Sequence, residues 1–446
     1  GKPAGVPCPH LDEALRCRLF GRPERPAVCG SLKPSAEMCG DNREQALRYS
    51  EIKTTNFDDL VNAKAARQGV APARRAMDAG TLNIAAQKIN LEGDLAFDRL
   101  AGGRGGELNI SSSKIQLGGA LSAAQVAAKD TLLLNVAQLN RTGVDSLLVG
   151  GQRARQAADG SRLIDVKASE VTLANDAGNP LTLGDVILAG TSKVSVQNGA
   201  VLSAPDAGSA VGSAAFQAED STVQGDGALV RVSSDTQVQT RRVSTDSAPI
   251  KRMAGDVAVG AGAVLKGGSV VVEGTHSTTL ASDSTLQARS LTLAADRVVL
   301  GDSQVTTPAG QPSPLVVGSA LLGQLAQVDR LTLRAFGGVE LQGGQNLTVQ
   351  QALTLDTPEL KQASGSSNSV TAGSLSLRNT SGATGSAQGG SATLNLHATG
   401  AGGQDGHIHF DDGIVATQGA GQVNLAAAGS VVLSSRRETT TVTQAT

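Results

Sequence analysis

The chain has 446 residues, a net charge of −2 and 40% hydrophobic residues, but only 2% aromatic residues and no tryptophan. The near-neutral charge excludes a global field that would attract polyanions or an anionic membrane, so we expect no nucleic-acid partner. No apolar run approaches the roughly 20 residues of a membrane-spanning helix. With few rings available, Leu, Val, Ile and Ala must fill the core, which favours a thin core of similar side chains stacked in rows.

The first 79 residues differ from the rest and are predicted to form a small helical or irregular cap or linker. Leucines at every fourth position predict a helix over residues 9–20. A second helix is predicted over residues 56–67, because Asn56 suits an N-cap, two aspartates fall in the first turn, and Gly69 follows the end. The domain boundary is therefore predicted between residues 79 and 80.

All four cysteines lie in this first domain: Cys8, Cys17, Cys29 and Cys39. The gaps between them contain no C-x-x-C pattern, whereas structural zinc sites usually pair their ligands at short spacing. One or two disulfides are favoured over zinc, and disulfides indicate an oxidising compartment. Four cysteines allow three pairings, and the sequence leaves that choice open.

From residue 80 to residue 446 the pattern is that of β-strands. Residues 80–93 (GTLNIAAQKINLEG) and 106–119 (GELNISSSKIQLGG) each contain two short alternating segments that are separated by small or polar residues and closed by glycine. The unit returns at residues 291–301 and 423–433, and whole units recur roughly every 20–26 residues. Small corner residues and this period favour an all-β fold, a parallel β-helix, over a sandwich or a barrel.

Three segments interrupt the rhythm because they are longer, more polar or richer in proline. They are residues 150–162, 203–252 and 302–328. We expect them to leave the β-helix as loops or side decorations, with a short surface helix over residues 319–328. Residues 363–374 and 380–390 are rich in Gly and Ser and are predicted to be flexible.

The repeats LTLAADRVVLG (residues 291–301) and VNLAAAGSVVLSS (residues 423–435) resemble the shaft of filamentous haemagglutinin-type exoproteins. These are large adhesins that bacteria export by two-partner secretion. The resemblance covers most of residues 80–446 and implies a right-handed parallel β-helix at the cell surface. The secretion domain of that family carries Asn-Pro motifs, whereas this chain has only Asn179-Pro180, so we expect an internal or processed piece of a longer exoprotein.

The most site-like stretch is GHIHFDDG at residues 406–413. If Ile408 and Phe410 face the core, then His407, His409 and Asp411 point outward on one strand face. Two imidazoles and a carboxylate could hold zinc or copper. A solvated outer face is the simpler interpretation, so no metal and no cofactor is predicted.

A β-helical polysaccharide lyase or hydrolase is the enzymatic alternative, since such enzymes use carboxylate clusters in a groove. The candidate acids lie in the long polar insert: Asp206, Glu219, Asp220, Asp226 and Asp235. Only two are adjacent in sequence, and neighbours on a strand point to opposite faces. Basic pairs at residues 241–242 and 251–252 could contact anionic glycans.

The leading hypothesis is a non-enzymatic extracellular rod with a structural or adhesive role at the bacterial surface. Uncapped strand edges favour self-association into fibres. The resemblance implies an outer-membrane transporter as the partner during export, and surface glycans or proteins of the host or of bacteria as partners in adhesion and biofilm assembly.

Overall fold

A computed structural model describes residues 18, 19, 22, 23, 57–71, 77–89, 95, 97–100, 103, 105–156, 161–205, 214–218, 225–242, 250–302, 307, 312–325 and 327–434. The chain divides into two compact units, Gly1–Ala76 and Met77–Thr446. The four cysteines lie outside the described residues, so the disulfide prediction stays a prediction. No helix in the described ranges is long and apolar enough to cross a membrane.

In the first unit the structure describes one helix, α1 (Phe57–Gln68). It confirms the helix predicted over residues 56–67, with a shift of one residue. Gly69 follows in the left-handed region at φ 65°, and its N–H bonds the carbonyl of Ala66 at 3.3 Å. Glycine suits this position because it has no Cβ to strain the left-handed backbone. The helix predicted over residues 9–20 lies almost wholly outside the described residues.

The second unit is mostly β, as the sequence predicts, and most of its strands have six residues or fewer. In chain order they are β1 (Thr81–Ala85), β2 (Glu107–Ser111), β3 (Lys114–Leu117), β4 (Thr131–Leu134), β5 (Ser146–Val149), β6 (Gly151–Gln156), β7 (Arg162–Val166), β8 (Glu170–Leu173), β9 (Leu181–Thr182), β10 (Asp185–Gly190), β11 (Lys193–Val196), β12 (Val201–Ser203), β13 (Ala214–Ala218), β14 (Ala228–Ser233), β15 (Thr240–Arg242), β16 (Asp256–Val259), β17 (Val264–Lys266), β18 (Ser269–Gly274), β19 (Ser277–Leu280), β20 (Thr285–Gln287), β21 (Ser290–Leu300), β22 (Leu315–Val317), β23 (Arg330–Leu341), β24 (Asn346–Thr348), β25 (Ala352–Asp356), β26 (Glu359–Gln362), β27 (Ser367–Ala372), β28 (Ser374–Arg378), β29 (Gln388–Ala398), β30 (Ile408–Phe410), β31 (Ala416–Ala427) and β32 (Val431–Leu433).

Short helices connect some of these strands: α2 (Ala123–Ala128), α3 (Val136–Asn140), α4 (Ser319–Leu325) and a 3₁₀ turn at Ala401–Gly403. Ser122 begins α2 with a capping box, in which its side chain accepts from the Gln125 N–H and the Gln125 side chain accepts in return. Helix α4 falls inside the predicted surface helix at residues 319–328 and buries Leu325.

The largest sheet has 18 strands. A continuous path of pairings runs through β1, β2, β5, β10, β14, β18, β21, β23, β25, β28, β30 and β32. Every pairing on this path is parallel except the two that flank β14. A six-stranded sheet (β4, β3, β8, β11, β16, β19) and a four-stranded sheet (β9, β12, β17, β20) are parallel throughout.

The pairings place like residues above one another. Leu331 pairs with Leu353 and Leu353 with Leu375, so successive partners are 22 residues apart. All three leucines are buried in one hydrophobic core that extends from Leu108 to Ile408. Stacked rows of Leu, Val and Ile fill this core, as the scarcity of aromatic residues predicts.

Strand β14 differs from the expectation that residues 203–252 would leave the β-structure. It lies antiparallel between β10 and β18 in the largest sheet, and all six of its residues are buried. Because it is covered on both faces, its sequence ALVRVS lacks the alternation of a half-buried strand. The other two predicted inserts contain β6 and the start of β7 (150–162) and β22 and α4 (302–328).

The cover over β14 is a second four-stranded sheet, which we call the side sheet (β6, β7, β13, β15). A separate small core joins the two layers. It contains Leu148, Ile187, Ala189, Leu229 and Val271 of the largest sheet, with Ile164, Val166 and Ala214 of the side sheet. The part of the largest sheet from β5 to β18 therefore has apolar residues on both faces, whereas β23, β25 and β28 alternate between buried and more exposed residues.

Candidate functional site

A row of charged residues crosses the outer face of the largest sheet. Glu273 pairs with Ala294, Ala294 with Arg334, Arg334 with Asp356, and Asp356 with Arg378. A buried core leucine, or Val272 in β18, lies one residue earlier on each strand, so these side chains take the opposite face. The row is therefore built by the same register that stacks the core.

The row forms a connected set of ion pairs. The Arg334 Nη1 lies 2.6 Å from Glu273 Oε2, and its Nε lies 3.0 Å from Asp356 Oδ2. The Arg378 Nε contacts the same Asp356 oxygen at 3.2 Å. The small side chain of Ala294 separates Glu273 from Arg334 in the row, which lets the arginine reach across two strands.

Arg242, from β15 of the side sheet, completes this set. Its Nε lies 2.5 Å from Glu273 Oε1, and its two Nη atoms donate to the carbonyls of Gly225 and Gly227. Its guanidinium carbon lies 5.9 Å from the centre of the Phe336 ring. We call Glu273, Arg242, Arg334, Asp356 and Arg378 the open cluster.

Within the open cluster, burial and neighbouring charges shift the pKa values in opposite directions. Burial would raise the pKa of Asp356, but Arg334, Arg378 and the hydrogen bonds from Thr380 outweigh it and hold that pKa below its usual range. Burial would likewise lower the pKa of Arg334, and Glu273 and Asp356 raise it instead. Burial lowers the pKa of Arg242 despite the attraction of Glu273. The Asp356 carboxylate is thus held ionised.

A second buried set, which we call the sealed cluster, lies between the two sheets. Arg231 of β14 places its Nε 2.8 Å from Asp185 Oδ1. Arg153 of β6 donates to Asn109 at 2.5 Å and to Ser146, whose hydroxyl donates to Asp185. Burial lowers the pKa of Arg153 to about 10, against the attraction of Asp185. The Arg153, Asp185 and Arg231 side chains are at most 4% exposed.

The open cluster reaches a cavity of about 460 Å³, and the sealed cluster does not. The cavity is lined by Arg241, Arg242, Arg334, Arg378 and Phe336, with Asp412 as its carboxylate. Arg378 retains 30% of its side-chain exposure, and Arg241 is exposed. Solvent and small solutes therefore have access to this concentration of positive charge.

A neighbouring cavity of about 130 Å³ shares four lining residues with the first: Gln239, Thr240, Arg334 and Arg378. Its floor contains a row of threonines, since Thr292 pairs with Thr332 and Thr332 with Thr354. We call these two adjoining cavities together the arginine groove; their lining residues include positions on β21, β23, β25 and β28. Residues 236–242 form its other wall.

Thr240 lies in the shared wall of the groove and is 8% exposed. Its Oγ1 is buried without a hydrogen-bond partner. A buried hydroxyl that makes no hydrogen bond lowers stability, so its persistence at a cavity wall suits a position where a ligand supplies the partner.

The candidate acids of the enzymatic alternative do not converge in the described residues. Asp226 is fully buried and accepts the N–H groups of Arg252, Met253 and Ala254 at 2.7–3.2 Å, which makes it a loop anchor. Asp235 accepts the Gln237 N–H at 2.8 Å. The other three acids, Asp206, Glu219 and Asp220, lie outside the described residues.

The polar side chains of the predicted histidine face contact neighbouring residues of the protein. Ile408 is fully buried and Phe410 packs against the core, as expected. His407 Nδ1 accepts the Ser430 N–H at 2.9 Å, His409 Nε2 lies 3.5 Å from Asp405, and Asp411 accepts from the Ser376 hydroxyl at 2.7 Å.

The two histidine rings lie 5.5 Å apart, centre to centre. Within the described ranges no three His, Cys, Asp or Glu side chains gather as a metal site requires.

The arginines of the two basic pairs, residues 241–242 and 251–252, have different surroundings. Arg242 is buried in the open cluster, and Arg252 pairs with Asp296 at 2.9 Å. Burial raises the pKa of Asp296, although Arg252 opposes that shift. Arg241 is exposed at the groove and donates to Ser161 at 3.5 Å.

The arginine groove was missed from the sequence, although one signal was present. Arg334, Asp356 and Arg378 each follow the second apolar residue of an alternating strand (LTLR, LTLD, LSLR), and Glu273 follows a run of three valines (VVVE). Aligning the units on their leucines would have exposed alternating charge at that one position. The contribution of residues 236–242 had no such signal, because Thr240 lies 94 residues from Arg334.

Comparison with known proteins gives short matches to UPF0153 proteins. One from Pseudomonas aeruginosa is 70% identical over 47 residues, 10% of this chain and 56% of that protein. YeiW of Escherichia coli is 55% identical over 49 residues, 11% of this chain and 58% of that protein. The chain spans little more than half the length of these relatives. No protein-family profile and no solved structure matches the chain.

Proposed function

We propose that the second unit is a right-handed parallel β-helix that acts as a structural and adhesive rod outside the cell, without catalysis. The observation that carries this proposal is the in-register parallel pairing of successive strands, in which Leu331, Leu353 and Leu375 repeat at an interval of 22 residues. When a chain returns to the same face after each repeat and its strands pair in parallel, each repeat forms one coil of a solenoid.

The proposed mechanism is mechanical. Each coil bonds its backbone to the coils before and after it, so stiffness follows from a continuous ladder of hydrogen bonds. The side sheet and the loops add layers on the outside, where contacts with a surface would form. Pairing of strand edges between stacks would provide self-association into fibres.

The wider assignment is to the filamentous haemagglutinin-type exoproteins, exported through an outer-membrane transporter and displayed at the bacterial surface. It is supported by the repeats at residues 291–301 and 423–433, which lie in β21 and in β31 and β32. In both repeats the first segment alternates (Leu291 and Leu293; Val423 and Leu425) and the second ends in three consecutive apolar residues (298–300 and 431–433).

Electron microscopy of the purified full chain tests the proposal. Twelve strands on the pairing path, at about 4.8 Å per strand, give a β-stack about 55 Å long. We expect elongated particles with a straight axis, alone or joined end to end. Uniformly round particles would contradict the rod, and cleavage of an added polysaccharide would contradict the absence of catalysis.

A further inference from the structure

The chain contains four Asn-x-Ser/Thr motifs, the acceptor pattern of N-linked glycosylation, in which x is any residue except proline. They begin at Asn109, Asn140, Asn346 and Asn379. So short a motif arises often by chance, and the surroundings of each asparagine therefore decide which of them suits an acceptor. An acceptor needs an amide at the surface, because the attached sugar is bulky and hydrophilic.

Three of the four asparagines have side chains that hold the fold together. Asn109 is 1% exposed and accepts from Arg153 in the sealed cluster at 2.5 Å. Asn140 donates to a backbone carbonyl at 2.8 Å and accepts a backbone N–H at 2.9 Å. Asn379 donates to two backbone carbonyls, at 2.8 and 3.0 Å. A sugar on any of these amides would disturb hydrogen bonds of the folded chain.

Asn346 has different surroundings. It is the first residue of β24, its side chain is exposed, and it makes no hydrogen bond or ion pair with its side chain among the described residues. Thr348, which completes the motif, is also exposed. Leu347 between them is 2% exposed and belongs to the core. Since side chains alternate along a strand, the buried Leu347 fixes Asn346 and Thr348 on the same outer face.

The backbone around Asn346 is ordered, and space remains beside it. Gly344 precedes the strand in a left-handed turn at φ 75°, and a side-chain carbon at this glycine would meet no atom within 4 Å. The Gln345 N–H donates to Asn368 Oδ1 at 2.9 Å, which anchors the start of the strand. Asn346 pairs with Ser369 of β27, a residue with a short side chain. The motif is therefore presented in an extended conformation with room for a sugar.

We propose that Asn346 is an acceptor for N-linked glycosylation. The Asn346 Nδ2 forms a bond to C1 of the sugar, the bond from C1 to the diphosphate oxygen of the donor breaks, and the amide gives one proton to the transferase. The donor is a sugar diphosphate, carried on a nucleotide or on a lipid, and the carrier diphosphate leaves. The Thr348 hydroxyl is the second group of the motif that the transferase recognises. The proposal rests on the proposed function only in that an exported chain meets such transferases.

The test is glycosylation of the purified, folded full chain, read by intact mass and peptide mapping. One arm supplies UDP-glucose with a soluble bacterial N-glycosyltransferase, and the other supplies a lipid-linked oligosaccharide with a membrane oligosaccharyltransferase. Asn346→Gln removes the acceptor amide, and Thr348→Val removes the hydroxyl. Thr348→Ser keeps the motif and is the matched control. Both positions are exposed, so we expect all three variants to unfold at the temperature of the native protein.

We expect one glycan per chain, at Asn346, in at least one arm, and the arm that succeeds identifies the donor. The glycan should be lost in Asn346→Gln and in Thr348→Val and retained in Thr348→Ser. Absence of a glycan in both arms, a glycan that persists in Asn346→Gln, or equal modification at Asn140 or Asn379 would each overturn the proposal. Particle shape in electron microscopy reports on the rod independently, so the two failures are distinguishable.

Discussion

The sealed and open clusters use the same chemistry in two regions of one sheet, and they differ in what covers them. In both, an arginine of the side sheet reaches a carboxylate of the largest sheet: Arg153 lies 3.8 Å from Asp185, and Arg242 lies 2.5 Å from Glu273. The sealed cluster joins the two layers, which are also joined by the small apolar core, and its three charged side chains are at most 4% exposed. The open cluster continues past the last strand of the side sheet to Asp356 and Arg378.

The two clusters contain the same kinds of charged residues and differ in how far the side sheet buries them. Burial therefore distinguishes the structural ion cluster from the candidate binding site. An enclosed cluster can only join layers, because each of its charges must be compensated within the protein. Beyond the side sheet, the charged residues of the open cluster border a cavity. There they can compensate the charge of a ligand. Substitutions in the two clusters test this contrast.

The largest effect is expected from Asp185→Ala. This change removes the carboxylate that Arg231 and Arg153 contact, and removing one partner of a buried ion pair costs about 3–5 kcal/mol. Denaturant unfolding followed by circular dichroism measures the change. A loss as small as that of an exposed pair, such as Arg289→Gln, would show that the cluster is not sealed.

A smaller effect is expected from Asp356→Asn. Arg334 keeps Glu273, and Arg378 is 30% exposed, so we expect a loss of about 2 kcal/mol in the free energy of unfolding at pH 7. Because the pKa of Asp356 is lowered in the folded protein, its contribution is present above the unfolded pKa and is lost as pH falls through the folded value.

The stability difference between the native protein and Asp356→Asn should therefore shrink below about pH 4. Unfolding curves across this pH range check the sign. A difference that grows as the pH falls would contradict the assigned role of Asp356.

The smallest effect on stability is expected from Thr240→Val. The Thr240 Oγ1 has no hydrogen-bond partner, and an apolar side chain of the same shape is nearly neutral in such a position, within about 0.5 kcal/mol. Thermal unfolding checks this. A loss above about 1 kcal/mol would show that the hydroxyl contributes to the fold, and would remove one support for a ligand at the groove.

The sequence predicted the features that repeat along the chain. Alternating leucines, as in Leu331 and Leu333, identified the strands, their period and the buried rows, because one face of each strand must be apolar. It did not predict β14, since burial on both faces removes the alternation. Nor did it predict the groove, because the facing wall comes from residues distant in sequence.

The most direct test of the stacked-coil account is a distance along the stack. Glu340 pairs with Lys361 and Lys361 with Gln418, so Glu340 and Gln418 lie two strands apart, about 10 Å, although they are far apart in sequence. Nitroxide labels can be attached at these two positions through an encoded keto amino acid, which spares the native cysteines. The account predicts strong dipolar broadening relative to the singly labelled proteins; spectra that equal the sum of the single labels would contradict it.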